Sequence, residues 1–342
     1  MRRIDLADLE TLALGCALLG SAGGGTTTHL ELMAGQADWP VTLLEVDDLD
    51  PATPCLAPAF AGSTMILGER LPGAAPFARV VAAVEQWVGA PVPAVCALEV
   101  GGLNGLTPVI AAQGRAIVDA DCMGRAMPGF DQVTLLVDRL PGLVIATGIG
   151  DGVAIVASER PEDAERITRA ALEQAGGTGV VVLGGFTVGA LRDHGVTGSI
   201  STALELGRVF RDALTEPLET LAGRLGGRLL AAGRILASQP DTAGGRVQSF
   251  EIEGTSGAVH RLITRSEAIA FVTDGELRSA APDIIVVLDA RSRAILEVPS
   301  LAVGQHVAVL ELPGPRWWRT STERLRHVVP STYGLAELDP AG

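Results

Sequence analysis

The pattern of apolar segments changes near residue 226, and this change does most to limit how the chain can fold. Before it, apolar runs at 94–100, 116–121 and 179–186 alternate with helix-like segments such as 77–89 and 161–176. After it, six short apolar runs are separated only by turns rich in Gly, Asp and Ser. Alternation is typical of mixed α/β architecture, whereas a series of short runs predicts a β-rich module.

The two patterns together predict a mixed α/β (α+β) protein with two domains. We expect an N-terminal α/β domain over 1–165 and a C-terminal domain over 166–342, with the β-rich module near 226–315. Inside the first domain, short apolar runs predict strands at 63–69 and 132–140.

The basic residues exclude several classes of enzyme, because all 26 of them are Arg and none is Lys. Schiff-base enzymes, enzymes that hold pyridoxal phosphate on a Lys, and P-loop nucleotide hydrolases all need that residue. The net charge of −14 and the lack of a basic run argue against nucleic acid as a partner. We therefore expect no nucleotide, no pyridoxal phosphate and no nucleic acid.

The start of the chain, "MRRIDLADLE", resembles a signal peptide only in its two arginines. Asp5, Asp8 and Glu10 stand where such a peptide would have to be apolar. No apolar run reaches the roughly 18 residues that a membrane helix needs. We expect a cytoplasmic protein with no membrane partner.

A glycine-rich stretch, "GCALLGSAGGGTTT", follows the first helical segment. Backbone N–H groups in such a turn can hold an anion or a carbonyl oxygen. Ser21, Gly23, Gly24 and Gly25 are therefore candidate substrate-binding residues. The alternative is that the glycines only end the helix.

A second stretch, 98–129, places acids at the ends of apolar runs. Glu99 precedes a turn that contains Gly102 and Asn104, and the run 116–121 ends on Asp119 and Asp121. Residues two apart in a strand share one face, so these two carboxylates could bind a divalent metal, or one could act as a protonated acid. The alternative is that they cap the following turn and pair with Arg125.

Taken together, these motifs resemble the S-methyl thiohydantoin desulfurase family. The matching segments are "GCALLGSAGGGT", "LEVGGLNGLTPVIAAQGRAIVDADCMGRAMPG", "GGRLLAAGRI" and "APDIIVVLDARSRAILEVPSLAVGQHVAVLELPGPRWWRT". The resemblance implies an N-terminal α/β domain, a C-terminal domain with a β-rich swivelling module, and hydrolysis of an S-methylated thiohydantoin to a hydantoin and methanethiol. It also implies association with hydantoinase- or oxoprolinase-type proteins.

The chain departs from the family pattern at three places. Ala22 stands where glycine is usual, and Met127-Pro128-Gly129 replaces a usual Phe-Pro-Glu. The third departure is Arg265-Ser266-Glu267, where the pattern has Gln-Asn-Glu. A different substrate from the family's is one reason for such changes.

The resemblance leads to a hypothesis for each candidate residue. Asp121 or Asp119 would activate water, directly or through a divalent metal such as zinc, with Glu99 as a further catalytic acid. Gly23 to Gly25 would hold a substrate carbonyl or carboxylate, with Ser21 and Gly102 beside them. Asn104 would orient the ring, and Arg125 would hold the acids or a substrate carboxylate.

A competing hypothesis is an accessory or small-molecule-binding partner of a hydantoinase-type enzyme, without chemistry of its own. Loss of the acid at Gly129 favours this role, whereas Glu99, Asp119 and Asp121 favour a hydrolase. In either case the expected ligand is a small cyclic amide or thiohydantoin, and the acidic surface suits a homo-oligomer.

Overall fold

The computed structural model describes residues 1–69, 72–240, 247–255 and 257–339. The first sheet is formed by nine strands: β1 (Arg2–Ile4), β2 (Val41–Leu44), β3 (Pro54–Gly62), β4 (Ala94–Ala97), β5 (Ala116–Asp121), β6 (Val144–Ile149), β7 (Gly152–Val156), β8 (Thr178–Thr187) and β9 (Val196–Thr197). The helices of this part are α1 (Leu9–Leu19), α2 (Thr28–Ala34), α3 (Thr64–Glu69), α4 (Ala78–Val88), α5 (Thr107–Ala111), α6 (Thr134–Val137), α7 (Pro161–Gln174), α8 (Val188–His194) and α9 (Ser199–Asp212).

The centre of the first sheet is parallel. Its strand order is β1-β2-β5-β4-β3-β8-β6-β7, with β9 added beside β5. The neighbours β2, β5, β4 and β3 run parallel, and the remaining pairs are antiparallel. Because parallel strands end at one edge, the segments that follow β3, β4 and β5 are brought together there.

Two helices cross closely against this sheet. A Cβ atom added at Gly15 of α1 would lie 1.6 Å from the carbonyl oxygen of Ala203 in α9, and one added at Gly207 would lie 1.8 Å from that of Thr11. Neither position can hold a side chain without moving backbone. The glycines therefore set the distance between α1 and α9.

The second sheet is antiparallel and curled. After α10 (Leu218–Arg224), it consists of β10 (Arg228–Pro240), β11 (Gln248–Gly254), β12 (Val259–Thr264), β13 (Ala268–Thr273), β14 (Glu276–Ala280), β15 (Ile284–Asp289) and β16 (His306–Leu312), followed by the short α11 (Thr322–Leu325). Its order is β14-β13-β12-β11-β10-β16-β15. Inward-facing residues such as Phe250, Phe271 and Val309 form its own apolar core.

The glycine-rich turn and Arg125 join the two sheets. The Ser21 carbonyl accepts the Ala268 N–H at 2.8 Å, and the Ala22 carbonyl accepts the Val298 N–H at 2.6 Å. The guanidinium of Arg125 is buried and donates to the carbonyls of Ala268, Pro282 and Asp283. The first part of the chain is thus hydrogen-bonded to β13 and to the segment before β15.

The predicted fold class, a mixed α/β protein with a second, β-rich domain, is confirmed. The first sheet extends past residue 165, because β8 and β9 belong to it. None of the helices in the described residues combines the length and apolar character that crossing a membrane requires.

Two local predictions were wrong. The strand predicted over 63–69 is α3, and the strand predicted over 132–140 contains α6. Both segments are short apolar runs, and periodicity cannot distinguish a short buried strand from a short buried helix.

Candidate active site

A cavity of about 530 Å³ opens at the carboxyl ends of β3 and β4, against the second sheet. Most of its lining is apolar or glycine, including Phe60, Leu98, Leu103 and Met127. Three acids line it, and two of them, Glu99 and Glu267, follow strands of the two different sheets. An apolar cavity with a few convergent polar groups is the usual form of a small-molecule site.

Glu99 follows β4 and is held in place by two donors. The Asn104 amide donates to Oε1 at 2.7 Å, and the Met127 N–H donates to Oε2 at 3.3 Å. Asn104 is itself fixed by β3, because its side chain accepts the Phe60 N–H and donates to the Phe60 carbonyl. Burial against the cavity wall raises the pKa of Glu99 to about 8, so this carboxyl holds a proton at neutral pH.

Glu267 lies in the turn between β12 and β13 and is buried. The Ser266 hydroxyl donates to its Oε2 at 2.7 Å. Burial raises the pKa of Glu267, and the charges of Arg125 and Arg265 act in the opposite direction. The charge of Glu267 also contributes to the raised pKa of Glu99, so the two carboxyls influence each other's protonation.

Another buried acid, Glu297, lies outside the cavity lining and contacts the glycine-rich turn. Its Oε2 accepts the Gly25 N–H at 3.2 Å, and burial raises its pKa to about 7. Glu267 adds to this shift through its charge. Sequence reasoning missed Glu267 and Glu297 as site residues. The signal for both was a single acid at the border of an apolar run.

Asp121 is placed beside Glu99 in a supporting position, outside the cavity lining. Its Oδ2 accepts three backbone N–H groups, those of Val100, Met123 and Gly124, at 2.6–3.2 Å. Burial raises its pKa to about 6, and these N–H groups oppose that shift. Asp121 therefore fixes the turn that carries Glu99.

Asp119 has another partner, the N-terminus of α9. Its Oδ1 accepts the N–H groups of Ile200 and Ser201 at 2.9 and 3.1 Å, an arrangement that the helix dipole favours. No ion pair within 4 Å joins Arg125 to Asp119 or Asp121 in the described chain. The two Asp carboxylates thus cap backbone, as the alternative interpretation predicts, but they do not pair with Arg125.

The carboxylates of Asp119 and Asp121 do not fit the divalent metal considered above. The Asp119 and Asp121 oxygens that have partners are bound to N–H groups, which would have to be displaced by a cation. Within the residues that the structure describes, no cluster of three or more His, Cys, Asp or Glu side chains could hold a metal ion. The carboxylates of Asp119 and Asp121 are therefore not suited to hold a divalent metal.

The glycine-rich turn contributes shape to the site. Gly23 and Gly24 line the cavity, but their N–H groups donate to the Gly20 carbonyl, and that of Gly25 donates to Glu297. A Cβ atom on Gly24 would lie 2.6 Å from the Cα atom of Gly102. Glycine is needed here for close approach, and all three N–H groups proposed for substrate already have partners.

Ser21 serves the junction of the sheets. Its hydroxyl is buried and hydrogen-bonds to the backbone of Ala268 and Ile285.

Of the residues proposed from sequence, the structure brings Glu99, Asn104, Gly23 and Gly24 to the cavity. The residues outside its lining are Ser21, Gly25, Gly102, Asp119, Asp121 and Arg125.

Asp131 occupies the space that a side chain at Gly129 would need. A Cβ atom on Gly129 would lie 2.2 Å from Oδ1 of Asp131. A side chain at 129 and the Asp131 carboxylate therefore compete for the same space. Burial raises the pKa of Asp131 to about 6.

A solved structure with a similar fold is the crystal structure of a protein from Chromobacterium violaceum. It has a TM-score of 0.82 and 22% sequence identity, over 100% of this chain and 99% of that one. No curated protein matches the chain. The similarity supports the fold alone.

Family comparison covers nearly the whole sequence and confirms the resemblance predicted from its motifs. The profile of the S-Me-THD-like N-terminal domain matches residues 7–159, and that of the S-Me-THD-like C-terminal domain matches residues 159–341. The chain therefore belongs to the S-methyl thiohydantoin desulfurase-like family.

Proposed function

We propose that the protein is a hydrolase that adds water to the ring of an S-methylated thiohydantoin and releases methanethiol. One observation carries the proposal: Glu99 and Glu267 are two carboxyls with raised pKa values on the wall of one cavity. No ion pair within 4 Å neutralises either of them in the described chain. Two neighbouring carboxyls that influence each other's protonation can divide the roles of acid and base between them.

The reaction begins at the ring carbon that carries the methylthio group. Glu267, in its ionised form, takes a proton from water while the water oxygen bonds to this carbon. Glu99, in its protonated form, donates its proton to the ring nitrogen that shares a double bond with the carbon. The product of this step is a neutral tetrahedral intermediate, so the substrate carries no unpaired charge in the apolar cavity.

The second step breaks the carbon–sulfur bond. The hydroxyl proton of the intermediate passes to Glu99 as the new carbonyl forms, and the departing thiolate takes the proton held by Glu267. The products are a hydantoin and methanethiol, and both carboxyls return to their starting states. Asn104 orients Glu99 throughout, while Asp121 holds the backbone turn beneath it.

The direct test measures thiol release from a panel of S-methylated thiohydantoins with different ring substituents. Release by the purified chain, with formation of the matching hydantoin, would support the hydrolase. Absence of release from every member, together with binding of the hydantoins, would instead favour the accessory or binding role. A hydantoinase-type partner and a homo-oligomer remain predictions.

The pH dependence of kcat/KM follows from the two carboxyls. We expect the rate to fall as pH rises past about 8, because Glu99 then loses the proton that it must donate. The rate should also fall in acid, because both carboxyls of the pair are then protonated and neither can act as the base. A profile of kcat/KM between pH 5 and pH 10 measures both limbs, and a rate that stays constant from pH 7 to pH 10 would contradict the role of Glu99.

Asp121→Asn separates a supporting role from a catalytic one. Asparagine can accept the three N–H groups with its oxygen, so the variant should fold. The charge of Asp121 contributes to the raised pKa of Glu99, so its removal should move the basic limb to lower pH. We expect a loss of less than about tenfold near neutral pH, below the range for a general acid or base. Loss of activity at every pH would make Asp121 the base.

A further inference from the structure

Tyr333 is the single tyrosine of the chain, and the proposed chemistry does not use it. It ends the short 3-10 helix Pro330–Tyr333 in the C-terminal segment, and its side chain is half-buried. The hydroxyl contacts the first part of the chain, whereas the ring contacts the second sheet. Tyr333 therefore joins the two parts of the molecule between which the cavity lies.

The hydroxyl of Tyr333 is held by Gln132. It accepts the Gln132 amide at 2.5 Å, and the same amide donates to the His327 carbonyl at 2.9 Å. The amide oxygen of Gln132 in turn accepts the N–H of Gly129, a residue of the cavity lining. These bonds fix the Tyr333 side chain against the wall of the cavity that belongs to the first part of the chain.

The ring of Tyr333 supports Arg265, a half-buried residue of the cavity lining in the turn between β12 and β13. The guanidinium carbon lies 5.4 Å from the ring centroid, close enough for a cation to be attracted to the face of the ring. Within the described part of the chain, this guanidinium has no hydrogen bond and no ion pair within 4 Å. The ring is therefore what keeps the long side chain of Arg265 from turning freely.

Arg265 stands two residues before Glu267, and its charge acts on that carboxyl. Burial raises the pKa of Glu267, and the charges of Arg125 and Arg265 oppose this shift. Arg125 is buried and held by backbone carbonyls, so its position does not depend on Tyr333. Arg265 does depend on the ring, because a guanidinium released into water would lie farther from Glu267 and would be screened.

The other groups that face Glu267 are acids and hydroxyls. Burial, together with the charge of Glu267, raises the pKa values of Glu99, Glu297 and Tyr333. The Ser266 hydroxyl donates to the carboxylate of Glu267. None of these groups is a cation, so they cannot replace the charge of Arg265.

We propose that Tyr333 is a positioning residue, whose ring holds the guanidinium of Arg265 beside Glu267 and so keeps this carboxyl ionised. That Glu267 serves as the base rests on the proposed function, whereas the placement of the cation does not. The C-terminal segment thereby takes part in the site although it is distant from Glu267 in sequence.

The test follows the protonation of Glu267 directly, by carbon-13 NMR of a chain whose glutamates are labelled at the side-chain carboxyl. The signal that is lost in Glu267→Gln identifies the residue. In Tyr333→Leu its titration should move to higher pH, and Arg265→Gln should move it in the same direction and at least as far. Tyr333→Phe keeps the ring and should move it less. Adding Tyr333→Leu to Arg265→Gln should have no further effect, because both changes remove one interaction.

Trp317→Leu is the matched control. Trp317 lies in the same C-terminal segment, and its ring supports another guanidinium, that of Arg324, at 4.0 Å and outside the cavity lining. Its replacement should leave the titration of Glu267 unchanged. The inference would be overturned by an equal shift in Trp317→Leu, by a shift in Tyr333→Phe as large as that in Tyr333→Leu, or by an unchanged titration in Tyr333→Leu. If Tyr333→Leu does not fold, an unchanged titration in Arg265→Gln has the same meaning.

Turnover of the same variants separates this inference from the proposed function. If the titration of Glu267 moves as expected and the acidic limb of kcat/KM moves with it, both stand. If the titration moves while thiol is not released, or while the acidic limb stays in place, the positioning role of Tyr333 stands and Glu267 is not the base. If thiol is released but the titration of Glu267 is the same in all variants, the hydrolase stands and the inference fails.

Discussion

Glu99→Gln is expected to lower kcat/KM for thiol release by about 10²–10⁴-fold, the contribution typical of a general acid. Glutamine has the shape of the protonated carboxyl and can still accept the Met127 N–H. It has no acidic proton to give to the ring nitrogen. Steady-state kinetics on the best substrate of the panel, with circular dichroism to verify the fold, measures the effect.

Glu85→Gln is a suitable control for this change. Glu85 is a half-buried acid on α4 that binds the Val92 N–H and Arg115, and it lies outside the cavity lining. Its variant should turn over substrate like the wild-type chain. Glu99→Gln with full activity would exclude Glu99 as the acid and remove the main support for the mechanism.

Glu99→Gln should also change the pH dependence of the free energy of unfolding, which is independent of its effect on catalysis. The pKa of Glu99 rises from an ordinary 4.5 to about 8 on folding. Between these pH values the folded chain keeps a proton that the unfolded chain releases, so the free energy of unfolding falls as pH rises through this window. Glu99→Gln should remove this part of the slope. Denaturant titrations at pH 5 and pH 9 would measure the difference between the two chains.

Gly15→Ala should destabilise the fold by about 3 kcal/mol or more, at the upper end for an overpacked core. The added methyl group would lie 1.6 Å from the Ala203 carbonyl oxygen, which is a backbone atom of α9 and cannot rotate away. Helices α1 and α9 would have to separate, and α1 carries the glycine-rich turn at its end. Chemical denaturation, or the yield of folded protein, measures the result.

Gly223→Ala makes the same substitution in another helix and serves as the control. A Cβ atom at Gly223 of α10 would meet no atom within 4 Å. Alanine is the better helix former, so this variant should be as stable as the wild-type chain or gain up to about 1 kcal/mol. A Gly15→Ala chain as stable as Gly223→Ala would show that α1 and α9 can separate at little cost.

The sequence predicted the parts of the fold that have strong local patterns. Helix α7 begins at a proline after a turn, and strand β5 ends on the acids where the apolar run ends. Strand β3 was not predicted, and its Pro54 and Pro58 are unusual in a central strand. Its pairing with β8 is determined by distant residues, which no local pattern can reveal.

Sequence reasoning identified some residues of the candidate site and missed others. Glu99 and Asn104 were both candidates from the sequence, but the hydrogen bond between them was not predicted. Glu267 joins them only through the packing of one sheet on the other, and nothing near it in sequence indicates that contact. The hypothesis that Asp121 or Asp119 activates water combined the family resemblance with their place at a strand end. It could not include the three N–H groups that hold the carboxylate.

Arg125 ties the first part of the chain to backbone carbonyls that are made much later in synthesis. When Arg125 leaves the ribosome, Ala268, Pro282 and Asp283 have not yet been translated, and Glu267 is also missing. Until then the guanidinium has no place to be buried, and Glu99 has no second carboxyl beside it. If the proposed function holds, a nascent or prematurely terminated chain should therefore be inactive, because its site is complete only when the second sheet has packed on the first.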